Sequence, residues 1–273
     1  MERQELIDTI KEKRSFLCVG LDTDINRIPE EFLQHDNPML AFNKAIIDIT
    51  SPYCVAYKPN TAFYEQYGSE GWKTLEQTLE YIPNGIMKIA DAKRGDIGNT
   101  SRQYAKAFFD NLNADALTIA PYMGRDSVQP FMEWKEKWTV LLAVTSNEGS
   151  ADFQQQQLKT EELLYEKVVK TAMNWSDSEK LMFVVGATAG EHIRRVREMA
   201  PDNFFLVPGV GAQGGSLSDV ATKGMTADCN LLVNASRSII YAKNSANFED
   251  AVRSACEKLQ REMEQLLSAR GVI

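Results

Sequence analysis

The chain is predicted to be an α/β protein folded as a single (β/α)8 TIM barrel over residues 1–273. Two observations predict this: eight short apolar runs recur with helix-sized segments after them, and no low-complexity linker divides the chain. A third narrows the reading to function. The apolar runs tend to end on charged or hydroxyl residues, at the end of a barrel strand where active sites are built.

The first strand is Phe16 to Asp22, apolar until it closes on a carboxylate. A helix beginning near Pro38 carries Met39, Phe42, Ile46 and Ile49 on one stripe and stops at Ser51-Pro52. The second strand, Cys54 to Asn60, includes Lys58 near its end, and Trp72, Leu75, Leu79 and Ile82 mark the next helix, stopped by Pro83-Asn84-Gly85. The third, Gly85 to Ala90, runs into Asp91-Ala92-Lys93-Arg94-Gly95-Asp96-Ile97-Gly98. Strand alternation puts Asp91 and Lys93 on one face at its mouth. A helical stripe through Tyr104, Phe108 and Leu112 follows.

The fourth strand is Ala116 to Pro121, with a helix through Val128, Phe131 and Met132. The fifth is Thr139 to Ser146. The polar stretch Asn147 to Lys159 after it, with its run Gln154 to Gln157, is either a mobile lid or a tolerated insertion. A helix through Leu164, Val168 and Ala172 leads to the sixth strand, Leu181 to Thr188, whose helix carries Ile193 and Val196. The seventh is Phe204 to Pro208, the eighth Asn230 to Arg237, and a last helix has Phe248, Val252, Ala255, Leu259, Met263 and Leu266 as its stripe.

Composition excludes several functions. The net charge is −8 with no long basic block, which argues against nucleic-acid or membrane-surface partners. The start lacks a signal-peptide core and no run is long enough to span a bilayer, so a soluble, cytoplasmic protein is expected. Cys18, Cys54, Cys229 and Cys256 are scattered without a C-x-x-C and are expected to be buried reduced thiols. With only His35 and His192 available, a multi-histidine metal site is excluded and a Ser-His-Asp triad is disfavoured.

Taken alone, the D-x-K-x-x-D of Asp91, Lys93 and Asp96 is either a solvated ion-pair cluster or a reacting centre. The barrel pattern favours the second, because Asp22, Lys58, Asp91, Lys93, Ser146 and Arg237 all close strands and converge on one rim. Gly209 to Gly214 matches G-x-G-x-x-G, with Asp228 where a ribose-binding acid would stand. It follows the seventh strand of eight, however, and leaves too few residues for a dinucleotide-binding half. The loops after strands seven and eight of a barrel instead make a phosphate site, where Arg237 offers a bidentate guanidinium and Ser236 and Ser238 hydroxyl donors.

Asp91 to Thr100 is similar, at every fixed position, to the D-x-K-x-x-D-I-x-x-T signature of the orotidine 5'-phosphate decarboxylase family, and the resemblance extends over essentially the whole chain. Asp22 after Gly20-Leu21, Lys58 in Tyr57-Lys58-Pro59-Asn60, the Pro208-Gly209 turn with Gln213, and Arg237 in Ala235-Ser236-Arg237 also match the family pattern. The chain is longer than compact members, chiefly at Tyr57 to Glu70 and Asn147 to Lys159. The resemblance implies conversion of orotidine 5'-phosphate to UMP and CO2 in pyrimidine synthesis, without a cofactor or metal. Lys93 would be the proton donor in a network of Lys58, Asp91, Lys93 and Asp96. Asp91 would either repel the departing carboxylate or position and charge Lys93. Asp22 would hold a ribose hydroxyl and Ser146 the pyrimidine edge. Asp96, Ile97 and Thr100 would reach into a neighbouring subunit's site, which implies a homodimer with shared active sites.

Two rivals remain at this stage. Sugar-phosphate enzymes of the same barrel group, such as keto-gulonate-phosphate decarboxylase and hexulose-phosphate synthase, share D-x-K-x-x-D but resemble each other in using Mg2+ held partly by a glutamate at the second strand's end. Here that end carries Lys58. A non-catalytic nucleotide- or phosphate-binding protein on the same fold is the other.

Overall fold

The structure is a computed structural model and describes residues 1–175, 179–187, 190–210, 214–243 and 247–273. Eight parallel strands close a barrel in sequence order. They are β1 (Leu17–Gly20), β2 (Ala56–Lys58), β3 (Met87–Arg94), β4 (Ala116–Ile119), β5 (Trp138–Val144), β6 (Leu181–Val185), β7 (Phe205–Pro208) and β8 (Leu231–Ala235). Closure is made between first and last, with Cys18 in register with Asn234. The strands are covered inside and out, which is why they read as continuous apolar runs rather than alternating ones.

Six of the eight strands stop short of the apolar runs, because pairing ends where the chain turns into the mouth loops, and β7 ends with its run at Pro208. The third does the opposite. β3 continues through Asp91, Ala92, Lys93 and Arg94, and its register against β4 shifts between Ala90 and Arg94. That irregularity spans the aspartate and the lysine.

Most of the expected helical stripes lie on the buried faces, but in helix Leu164–Met173 the buried residues are Tyr165, Val169 and Ala172 rather than Leu164 and Val168. Met39, Phe42, Ile46 and Ile49 are buried in helix Pro38–Thr50, which starts with Pro at its first turn and with the Asn37 side chain accepting the amide of Leu40. In the last helix, Phe248–Ala269, Val252 and Met263 are buried, and the Asn247 side chain accepts the Asp250 amide at 2.8 Å. The stripe through Tyr104 and Phe108 is helical over Gly98–Ala105 and continues as a wider π-turn over Lys106–Asn111. All four cysteines are buried and free. Burial pushes the thiol of Cys54 up to about 11 and that of Cys229 up to about 12.

Several elements go beyond the sequence pattern. Arg3–Lys13 is a helix whose Leu6, Ile7 and Ile10 are buried. It lies across the N-terminal ends of the strands, where Met1 O accepts from Trp138 Nε1 at 3.0 Å and Arg3 donates to Asn230 Oδ1 at 2.9 Å. One-turn helices stand at three strand mouths, Ala62–Glu65, Ser150–Phe153 and Arg237–Ile240. The stretch from Asn147 to Lys159 is ordered by local bonds: after Ser150–Phe153 it folds back, with Gln157 bridged antiparallel to Leu163 at the start of helix Leu164–Met173.

Candidate active site

At the C-terminal mouth a cleft of about 500 Å³ is lined from all sides by strand ends. Its walls differ in chemistry. β1, β2 and β3 bring Asp22, Lys58, Asp91 and Lys93; Leu142, Val184 and Leu206 of β5, β6 and β7 make an apolar wall; Pro208, Gly209, Ser236 and Arg237 close the end at β7 and β8.

The centre is Asp91, only 8% exposed. Its Oδ2 accepts from Lys58 Nζ at 2.7 Å, and its Oδ1 accepts from Lys93 Nζ at 2.6 Å and from the Thr118 hydroxyl at 3.0 Å. Burial works against the charge on Asp91, but the two ammonium groups outweigh it and hold the carboxyl well below the usual range. Burial likewise opposes the charge on Lys58, 4% exposed, while Asp91 and Asp22 overcome that and raise its pKa. Asp22 Oδ1 stands 4.0 Å from Lys58 Nζ and is a buried oxygen with no hydrogen-bond partner. A carboxylate oxygen left so is available to a ligand hydroxyl.

Lys93 differs from Lys58. Its side chain is 48% exposed, and its backbone takes φ 47°, in the left-handed region that a side-chain-bearing residue seldom occupies. The Lys93 amide donates to Thr118 Oγ1 at 2.9 Å, so one hydroxyl fixes both the strained backbone and the carboxylate beneath it. Backbone strain held by such a partner is a mark of functional sites.

Most of the residues expected from sequence meet here. Asp22, Lys58, Asp91, Lys93, Ser146, Pro208 and Arg237 line the same cleft. Asp96, Ile97 and Thr100 lie outside it. Asp96 Oδ1 accepts the amide of Ile97 at 2.8 Å, and among the described residues Asp96 makes no ion pair, so within one chain the network is Lys58, Asp91 and Lys93. Gln213 falls outside the described residues. Ser236 lines the cleft, whereas Ser238 lines a separate groove with Lys243 and Lys258. Gly20 lets Ser236 approach, since a Cβ there would lie 1.8 Å from Ser236 Oγ.

Sequence reasoning missed Asn60, Thr118, Thr145, Asn147 and Asn234, which also line the cleft. Asn234 donates to Ser236 Oγ at 3.2 Å. The available signal for Thr118 and Asn234 was a lone polar residue inside an otherwise apolar strand. Among the described residues, no group of three or more His, Cys, Asp or Glu side chains is arranged to hold a metal.

A charged network at the strand mouths, an apolar wall opposite and an arginine at the β8 end define the class first: a (β/α)8 barrel whose cleft suits a small anionic ligand with a flat apolar part. The family described as Orotidine 5'-phosphate decarboxylase / HUMPS matches residues 15–250, and the chain belongs to it. A relative from Christiangramia forsetii, named orotidine 5'-phosphate decarboxylase, is 56% identical over 96% of this chain and 97% of its own. One of the same name from Porphyromonas gingivalis is 56% identical over the full length of both. The solved structure of the Leishmania donovani OMP decarboxylase superposes with a TM-score of 0.83 at 38% identity, covering 96% of this chain and 98% of that one. The chain is thus an enzyme of the carboxy-lyase kind. No helix among the described residues is long and apolar enough to cross a membrane.

Proposed function

We propose that the chain decarboxylates orotidine 5'-phosphate to UMP as a cytoplasmic enzyme of pyrimidine biosynthesis, without a metal or organic cofactor. The observation that carries this reading is the buried carboxylate of Asp91 bridging two ammonium groups opposite an apolar wall. A pyrimidine ring fits against Leu142, Val184 and Leu206, with the phosphate at Arg237 and a ribose hydroxyl at Asp22. Ser146 meets the ring edge from the loop after β5, and Gln213 is a further substrate-binding residue by family pattern. The Pro208-Gly209 turn, with Gly209 at φ 96°, brings backbone close to the phosphate end.

When the bond from C6 to the carboxylate breaks, its electron pair stays in an sp2 orbital of C6 that the ring cannot delocalise. Fixed positive charge is what the protein can supply. Lys93 Nζ stabilises that pair and gives it a proton, leaving UMP and CO2, and solvent reprotonates the half-exposed amine. Asp91 holds the Lys93 ammonium in place by their 2.6 Å contact; at ~4 Å and an effective dielectric of ~20 one such pair is worth about 4 kcal/mol. The buried ammonium of Lys58 at the end of β2 repels a divalent cation from the middle of the cleft, which supports a reaction run without one.

The active form is proposed to be a homodimer in which Asp96, Ile97 and Thr100 of one chain complete the partner's site. Ile97 is 55% exposed, and next to that loop Tyr122 is 87% and Met123 45% exposed. A Cβ on Gly95 would lie 3.5 Å from Met123 Cε, so the two loops form one patch. Exposed apolar area beside a charged mouth is what an interface covers.

The test is loss of orotidine 5'-phosphate absorbance by wild type and Lys93→Ala, with and without EDTA. Turnover that EDTA leaves unchanged and the substitution abolishes supports the proposal. No wild-type turnover, or turnover that returns only with Mg2+, overturns it in favour of sugar-phosphate chemistry.

A further inference from the structure

The run Gln154 to Gln157 has no role in the chemistry above, yet its first residue is wired into the mouth. Gln154 Oε1 accepts the backbone amide of Thr145 at 2.7 Å, and its Nε2 donates to Thr145 Oγ1 at 2.9 Å. The Thr145 hydroxyl in turn donates to Asn147 Oδ1 at 2.5 Å. We propose that Gln154 is a positioning residue that sets the β5 side of the cleft, and with it the recognition of the ligand's base.

The geometry explains why a side chain is needed there. The β5–β6 ladder ends as the Gly186 amide donates to Val144 O at 2.9 Å. The strand pairing stops there, and the next amide, on Thr145, is taken by a side chain instead of a strand carbonyl. An amide left unpaired at a partly buried strand end costs free energy and lets the chain wander. The carboxamide of Gln154 takes the place of the missing ladder bond, offering an acceptor to the Thr145 amide and a donor to the hydroxyl. Neither Gln155 nor Gln156 does this, since their side chains bond Ser150 Oγ at 2.7 Å and Ala151 O at 2.7 Å.

Gln154 is itself anchored. Its carbonyl accepts the Tyr165 amide at 2.9 Å, and Gln156 O accepts the Leu164 amide at 2.9 Å, tying the stretch to the start of helix Leu164–Met173. On the opposite side Gly186 leaves room for the chain to pass, because a Cβ there would lie 2.7 Å from Ser146 N. Thr145, Ser146 and Asn147, the three residues so held, all line the cleft. Gln154 does not, so it acts through them.

This inference rests on the proposed reading, in which the β5 end meets the pyrimidine and the β7–β8 end the phosphate. Ligands that share one end separate the two. UMP uses both, whereas ribose 5-phosphate lacks the base. Gln154→Ala, and Gln154→Met with the volume kept, are expected to weaken UMP binding about tenfold, the size of one or two lost hydrogen bonds. Affinity for ribose 5-phosphate is expected to stay unchanged. Gln154→Glu, which keeps the acceptor for the Thr145 amide and loses only the donor to its hydroxyl, is expected to weaken UMP binding less than Gln154→Ala does. Unchanged UMP affinity in both Gln154→Ala and Gln154→Met, or equal weakening of UMP and ribose 5-phosphate, overturns the inference while the functional reading stands. Wild-type protein that does not bind UMP overturns that reading and this inference together.

Discussion

Lys58 Nζ and Asp91 Oδ2 are 2.7 Å apart at the floor of the cleft, and both residues are almost entirely buried. Asp91→Asn removes the charge that compensates Lys58 and leaves it with Asp22 at 4.0 Å. Losing one partner of a buried pair typically costs about 3–5 kcal/mol. The same substitution frees Lys93 of its 2.6 Å partner. Asp91→Asn is therefore expected to lower the urea-unfolding free energy by about that amount and the turnover number by roughly a thousandfold or more. Full stability with lost turnover would mean that the pair serves chemistry alone.

The same pair sets how stability depends on pH. Asp91 titrates below its ordinary 3.8, so its contribution is complete above that value and is lost as pH falls through the folded-state pKa. Lys58 titrates above its ordinary 10.5, so its contribution is complete below that value and is lost as pH rises through the folded-state pKa. The advantage of wild type over Asp91→Asn in chemical denaturation is expected to be flat across neutral pH and to shrink at both extremes. An advantage that kept growing toward acid would contradict the depressed carboxyl.

Thr118 connects the network to the backbone of Lys93, whose left-handed φ of 47° carries strain of about 1–3 kcal/mol. Thr118→Val keeps the shape but removes both the donor to Asp91 and the acceptor of the Lys93 amide. Hydrogen bonds to charged groups are worth about 1.5–3 kcal/mol, so kcat is expected to fall about 10- to 100-fold. Thr118→Ser should stay within a few-fold. Steady-state kinetics of the two variants side by side tests this; equal activities would show that the hydroxyl plays no part.

The ends of the strands were legible because an apolar run that stops on Asp22, Lys58 or Asp91 carries two signals at once, a buried ladder and a charge at its mouth. Thr118 and Asn234 carried one weak signal, since a single polar residue in a strand reads as tolerated variation until the lumen it faces is known. Asp96 shows a different limit. Motif spacing placed it at the right strand end, but the turn after β3 points its carboxylate at the Ile97 amide, and spacing says nothing of direction beyond a turn. Helix Arg3–Lys13 was missed because its few apolar residues gain their burial from strand starts distant in sequence. Arg197, on helix Gly190–Met199, reads as a solvated helix charge, yet its guanidinium lies 3.7 Å over the Phe205 ring and donates to the carbonyls of Gly224, Ala200, Pro201, Asn203 and Asn230. Gly224, at the end of helix Leu217–Gly224, and Asn230, just before β8, are partners that only the tertiary fold brings beside it.

The position of Asp96 outside its own chain's cleft gives the most direct test of a shared site. In a two-fold dimer each site would take Lys93 from one chain and Asp96 from the other. Lys93→Ala and Asp96→Asn are each expected to be nearly inactive as pure proteins. In a mixed dimer one site combines both substitutions, and the other combines the unaltered Lys93 of one chain with the unaltered Asp96 of its partner. Equal amounts, dissociated and reassociated at random, form mixed dimers half the time, so activity should recover to about a quarter of wild type. If Asp96 instead turned to Lys93 within its own chain, both sites of a mixed dimer would carry one substitution and mixing would restore nothing. Turnover measured before and after exchange, with dimer formation followed by sedimentation, separates the two arrangements.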